Sequence, residues 1–113
     1  MRKKTMLVKI KPLSVNDAWG GRRYKTPEYK VYEEELLWIL PRCKVPEGKL
    51  EVYYEFGLSS KNADYDNCIK QFQDCIAKKY GFNDKNIYDA RIKKVDVEKG
   101  KEYIKFEIYG NNQ

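Results

Sequence analysis

An α+β fold, with a mixed sheet of about four strands and two main helices in the order β-α-β-α-β-β, is predicted by three observations. Apolar residues alternate at period two in three separate runs and a fourth run is strand-like, two longer segments repeat at the helical period, and Pro-, Gly- and Asn-containing punctuation separates them. The chain has 113 residues, 42% of them hydrophobic and 35% charged, which suits a single domain over residues 1–113 with one core. There is no internal repeat and no low-complexity segment.

The first run, Thr5 to Lys11, places Met6, Val8 and Ile10 on one face, as in a half-buried strand. Pro12 ends it and opens a loop from Leu13 to Lys25, with Gly20-Gly21 and Arg22-Arg23 set around Trp19 and Tyr24. Such a loop can grip a phosphate backbone or stack a base, or equally lie on the surface with Trp19 packed on the core. Thr26-Pro27-Glu28 is a helix start, with a hydroxyl N-cap, proline at the first helical position and a carboxylate in the first turn. The helix runs to Leu40 with Tyr29, Tyr32, Leu36 and Ile39 on its apolar stripe, and Pro41 stops it. Glu33-Glu34-Glu35 point in different directions on a helix and read as a solvated face or a dimer-contact edge.

After a connecting loop, Lys49 to Phe56 is the clearest strand, with Leu50, Val52, Tyr54 and Phe56 facing one way. A second helix is predicted from about Asp66 to Tyr80, closed by Gly81. Its apolar stripe is Ile69, Phe72 and Ile76, flanked by Cys68 and Cys75. Two strands follow, Ile87 to Val97 and Tyr103 to Tyr109, joined by a hairpin turn at Glu98-Lys99-Gly100-Lys101.

Net charge is +6, so anionic partners are favoured, nucleic acid foremost. The chain contains no histidine, which excludes Ser-His and Cys-His nucleophilic systems and leaves zinc without its usual nitrogen ligand. Cys43, Cys68 and Cys75 are odd in number and lack Cys-x-x-Cys spacing, so neither a disulfide framework nor a zinc site is indicated. Cys68 and Cys75 stand roughly 10 Å apart along one helix, and buried thiols in a reducing cytosol account for them. Met1-Arg2-Lys3-Lys4 leads into a strand pattern and no apolar run is long enough to span a bilayer, so a soluble cytoplasmic protein with no membrane partner is expected.

The chemistry concentrates in Asp64-Tyr65-Asp66-Asn67-Cys68-Ile69-Lys70, continued by Asp74 and Asp84. Asn67, Lys70 and Asp74 form a polar row on the side of the helix opposite its apolar stripe. Asp64 and Asp66 precede that row in an extended stretch, where residues two apart point the same way with Cα atoms roughly 7 Å apart. Singly, each also fits an ordinary role: Asp66 as an N-cap, Lys70 and Asp74 as an i,i+4 pair, Asp84 as a turn residue. Three aspartates exceed what one cap requires, and carboxylates supply the oxygen ligands that Mg²⁺ takes in phosphodiester hydrolysis. On that reading Asp64, Asp66 and Asp84 hold the metal, while Lys70 neutralises charge developing on the phosphate.

Asp64-x-Asp66-Asn67-x-x-Lys70-x-x-x-Asp74 followed by Gly81-Phe82-x-Asp84-x-x-Ile87 resembles the RusA-type Holliday-junction resolvases of bacteria and their phages. Pro12-Leu13-Ser14-Val15-Asn16, with Trp19 and arginines after it, the helix start near Pro27, and Lys93 or Lys94 extend the resemblance over nearly the whole chain. The resemblance implies a homodimer in a bacterial or phage-infected cell that binds four-way junction DNA and nicks two strands symmetrically with Mg²⁺. It implies that Asp64, Asp66 and Asp84 are essential acids and Lys70 an essential lysine, with Asn67 and Asp74 at two further motif positions. Two features depart from the family: Asn83-Asp84 where many members have two aspartates, and Gln71-Phe72-Gln73 where others are rich in alanine. The second reads as a packing difference. Asn16, Arg22, Arg23, Lys93 and Lys94 are the expected DNA contacts, supported by Arg2, Lys3, Lys4, Lys25 and Arg91. The alternative is a non-catalytic DNA-binding or architectural domain of the same fold, in which Asp66 caps a helix and the other acids are solvated.

Overall fold

The segment with the clearest alternation, Leu50–Leu58, is a strand in the middle of the sheet, and Leu50, Val52, Tyr54 and Phe56 lie in the core as their spacing predicts. The computed structural model describes residues 5–20 and 24–111. In chain order its elements are β1 (Met6–Val8), α1 (Val15–Ala18), β2 (Trp19–Gly20), β3 (Tyr24–Lys25), α2 (Pro27–Ile39), β4 (Leu50–Leu58), α3 (Ile69–Tyr80), a 3-10 turn at Asp84–Asn86, β5 (Ile87–Asp96) and β6 (Tyr103–Gly110). The main sheet has the order β1-β6-β4-β5. β4 and β5 are parallel; β4 with β6 and β1 with β6 are antiparallel. This is the α+β architecture expected, with a mixed four-stranded sheet and two main helices.

One face of the sheet is covered. Tyr29, Tyr32 and Leu36 of α2 and Phe72, Cys75 and Ile76 of α3 close over Met6, Val8, Val52, Tyr54, Phe56, Ile104 and Phe106. Thr26 caps α2 as predicted, its hydroxyl accepting from the Tyr29 N–H at 3.2 Å and donating to the Asp17 carbonyl. At the other end Leu40 is buried and Ile39 is exposed, because the chain turns extended at Leu40 and swings its side chain inward. Gly81 ends α3 in the left-handed conformation at φ 73°, its N–H donating to the Ala77 carbonyl. Cys68 and Cys75 are buried thiols, and burial pushes them up to about 11 and about 12, away from the reactive thiolate form.

Four local expectations are corrected. The loop predicted from Leu13 to Lys25 contains the single turn α1 and the small β2–β3 hairpin. The first strand is confined to Met6–Val8, although Ile10 stays buried. α3 begins at Ile69 and not near Asp66, and the stretch from Asp64 to Asp66 is not extended as expected, because the Asp- and Asn-rich residues before α3 form i→i+3 turns: Asn67 N–H bonds the Asp64 carbonyl and Ile69 N–H the Asp66 carbonyl. The last two strands do not form a hairpin. The Glu98–Lys101 turn is present, but β5 and β6 lie on opposite sides of β4. β6 has Ile104, Phe106 and Ile108 all buried and takes an interior position, whereas the mostly exposed β5 takes the edge.

Glu33 is not simply solvated. Its half-buried carboxylate lies 2.8 Å from Lys25 and 3.4 Å from Lys78, linking α2 to β3 and α3. Burial pushes the carboxyl up, but the hydrogen bonds and charges of Lys25 and Lys78 outweigh this and hold it below its ordinary 4.5. A lowered carboxyl contributes stability above the unfolded value and loses it as pH falls through the folded one. Glu33→Gln is therefore expected to lower Tm by roughly 2–6 °C at pH 7, given how exposed both lysines are. The difference from wild type should shrink as pH falls through the lowered carboxyl range; thermal melts across an acid pH series check it.

Candidate acidic site

The chain leaves β4 at Leu58, whose carbonyl accepts from the Val97 N–H at 2.9 Å. It then folds through the acidic turn, where Asp64, Tyr65 and Asp66 are all exposed. Two buried or half-buried side chains anchor this turn through its backbone. Lys94 of β5 donates to the carbonyls of Lys61 at 2.9 Å and Ala63 at 2.6 Å. Gln71 of α3 donates to the carbonyls of Asn67 at 3.0 Å and Leu13 at 2.8 Å, and is only 1% exposed. Gln71 thus ties the Pro12–Ser14 segment to the acidic turn. Gln71 is a structural tie and not only a packing difference.

Asp66 does not cap α3. Cys68 occupies the N-cap position without a side-chain hydrogen bond, and the amide end of α3 follows directly on the acidic turn. That end of a helix carries partial positive charge and favours nearby anions. Lys70 lies in the first turn of α3, 67% exposed, with its ammonium 3.6 Å from the Asp74 carboxylate. Of the expected polar row, Lys70 and Asp74 are paired along the helix, whereas Asn67 lies in the turn that precedes α3.

Asp84 lies on the far side of α3 in the chain from Asp64 and Asp66, in the 3-10 turn that leads into β5. α3, 12 residues and about 18 Å long, separates them in the chain. The parallel crossover also puts them at opposite ends of β5: Asp84 just before Ile87, the acidic turn beside Lys94. Between Ile87 and Lys94 the strand covers about 23 Å at its ordinary rise. Consistent with this, no group of three or more Cys, Asp or Glu that would hold a metal ion is found among the described residues. Asn83 uses its side-chain oxygen to cap the 3-10 turn, accepting from the Lys85 N–H at 3.0 Å.

The basic residues divide. Lys93 is exposed on the uncovered face of the sheet, opposite Glu55 in register, and Arg91 is exposed two residues before it. Lys94 points to the other face and is committed to the acidic turn. Arg2, Lys3, Lys4, Arg22 and Arg23 lie outside the described residues, as do the side chains of Asn16, Trp19 and Tyr24. On the uncovered face Glu55 is only 7% exposed, accepting from the Tyr53 hydroxyl at 2.7 Å and the Tyr103 hydroxyl at 2.5 Å, with Lys105 at 3.7 Å. Burial pushes this carboxyl up, and the two hydroxyls and the lysines outweigh it, leaving it lowered. The Tyr103 ring lies directly over Gly57, which has no Cβ to displace it.

Asp64 and Asp66 suit Mg²⁺ by donor chemistry, since that ion is commonly held by one or two carboxylates with water and phosphate oxygens completing its shell. Among the described residues no helix is long and apolar enough to cross a membrane. Comparison with protein-family models and with curated proteins returned no match for this chain.

Proposed function

We propose that the chain is a Mg²⁺-dependent endodeoxyribonuclease that resolves four-way DNA junctions by paired, symmetric nicks, acting as a homodimer. The observation that carries this reading is a pair of exposed aspartates on an anchored turn, at the amide end of a helix whose first turn carries Lys70, in a chain of net charge +6. A protein that only bound DNA would gain nothing from acids presented this way to phosphate. Asp64 and Asp66 hold the ion. When bound, Mg²⁺ neutralises phosphate charge and acidifies the attacking water. Lys70, largely exposed, stabilises charge that develops on the phosphate oxygens. Two protomers supply two acidic turns for two strands. Antiparallel pairing of two β5 edges would also set Asp84 of one protomer beside the acidic turn of its partner, because the two lie at opposite ends of that strand.

The test is incubation with an end-labelled synthetic four-way junction and a matched linear duplex, in Mg²⁺ and in EDTA. Paired nicks on the junction alone, lost in EDTA, are expected. Junction binding that falls steeply between 50 and 200 mM salt should accompany them, as counterion release at phosphate contacts requires. Tight binding without nicks in either condition would instead identify an architectural DNA-binding domain.

A further inference from the structure

Lys94 belongs by sequence to the residues expected to contact DNA, yet its ammonium is committed to the protein's own backbone. It extends from the helix-covered side of β5, in register with Phe56, and donates at 2.9 Å and 2.6 Å to two carbonyls of the segment that leads into Asp64. Bonds from an ammonium to carbonyls are charge-assisted and stronger than those between neutral groups. The remaining backbone ties of this turn are modest: Ala63 N–H to the Ser60 carbonyl at 3.4 Å, Asn67 N–H to Asp64 at 3.1 Å, Ile69 N–H to Asp66 at 3.4 Å. An exposed turn with so few ties opens readily. Two carboxylates meant to share one cation also repel each other while the cation is absent, so their separation has to be held by the backbone.

We infer that Lys94 is a positioning residue for Asp64 and Asp66, acting through the carbonyls of Lys61 and Ala63, and not a phosphate contact. This rests on the metal-dependent reading of the same turn. Gln71 restrains the far side of that turn through the Asn67 carbonyl, so the two acids sit between two anchors in the folded chain. Of the two neighbouring lysines it is Lys93, the preceding residue, exposed on the opposite face of the sheet, that is left to meet phosphate.

The experiment compares Lys94→Gln, Lys94→Arg and Lys93→Gln with the full-length wild-type chain. Tb³⁺ binding is read by luminescence sensitised through Tyr65, which is 59% exposed between the two aspartates. Lys94→Gln should weaken Tb³⁺ binding and raise the Mg²⁺ needed for half-maximal nicking by about 10-fold, the scale of losing a residue that orients metal ligands. Junction KM and the salt dependence of binding should not change. Lys94→Arg, which keeps two donors and the charge, should restore metal binding to within about threefold of wild type, a rescue that simple loss of stability would not predict. Backbone amides from Asp64 to Asn67 should exchange hydrogen faster in Lys94→Gln. By contrast, Lys93→Gln should weaken junction binding and reduce its salt slope by about 1 with Tb³⁺ binding intact. If Lys94→Gln behaves as predicted for Lys93→Gln, or leaves both Tb³⁺ binding and amide exchange unchanged, the positioning role is overturned. If the wild type neither nicks nor binds Tb³⁺, the nuclease reading fails, and the exchange rates alone decide whether Lys94 holds the turn.

Discussion

Asp66→Asn is expected to reduce Mg²⁺-dependent nicking of a four-way junction by more than about 100-fold, exceeding the 10–100-fold typical of residues that only support a metal ligand. Fold and junction binding should be nearly unchanged. The structure sharpens this expectation, because Asp66 makes no side-chain cap that the substitution could disturb. Its contribution to the turn is a backbone carbonyl that accepts from Ile69, and asparagine keeps it. The exposed side chain then differs only in losing a charged oxygen. Single-turnover nicking at saturating junction, with circular dichroism and a binding isotherm on the same preparation, checks all three parts. Wild-type nicking by the variant would remove Asp66 from the metal site.

Phe72→Ala is expected to have the largest effect on stability. Phe72 is fully buried, with its ring edge-on to Tyr54 at 5.2 Å, Phe106 at 5.2 Å and Phe56 at 5.9 Å. Truncating such a side chain typically costs about 3–5 kcal/mol. That is a large part of the roughly 5–15 kcal/mol that holds an ordinary domain folded. The urea midpoint should fall accordingly with the slope m unchanged, and Phe72→Leu should lose less than half as much. Because Phe72 docks α3 on the sheet, the variant should lose metal and junction binding together. Asp66→Asn separates them, and the contrast distinguishes a fold defect from a site defect.

The sequence was most informative where local chemistry decides the structure. Thr26-Pro27 marks the start of α2 to the residue, and Gly81 marks the end of α3, because capping is settled within a few residues. Alternation assigned Val52, Tyr54, Phe56, Ile104, Phe106 and Ile108 to the core, since a strand has only two faces. Choices between distant partners were not legible. Nothing in Ile87–Asp96 or Tyr103–Gly110 says that β4 comes between them; that follows from which strand has more apolar surface to bury against both neighbours. For the same reason the spacing of Asp84 after Asp66 did not reveal that the crossover carries it to the opposite end of β5. The anchoring of the acidic turn joins residues 31 and 33 apart through Lys94, beyond any periodic signal. Gln71 did leave a trace: it lies three residues after Cys68 and four before Cys75, on their buried arc, where a polar side chain needs partners.

The pairing of Met6 with Phe106 constrains the order of events as the chain folds. β4, α3 and β5 are close in sequence and can condense early as one crossover unit. β6 is an interior strand, seated between β1 and β4, and it is the last strand in chain order. Until it is synthesised, β4 presents an open edge lined by Tyr54 and Phe56, and β1 has no strand to join. A nascent chain stalled before Tyr103 would therefore expose a sticky template for other chains, and the sheet closes only after synthesis has passed that strand.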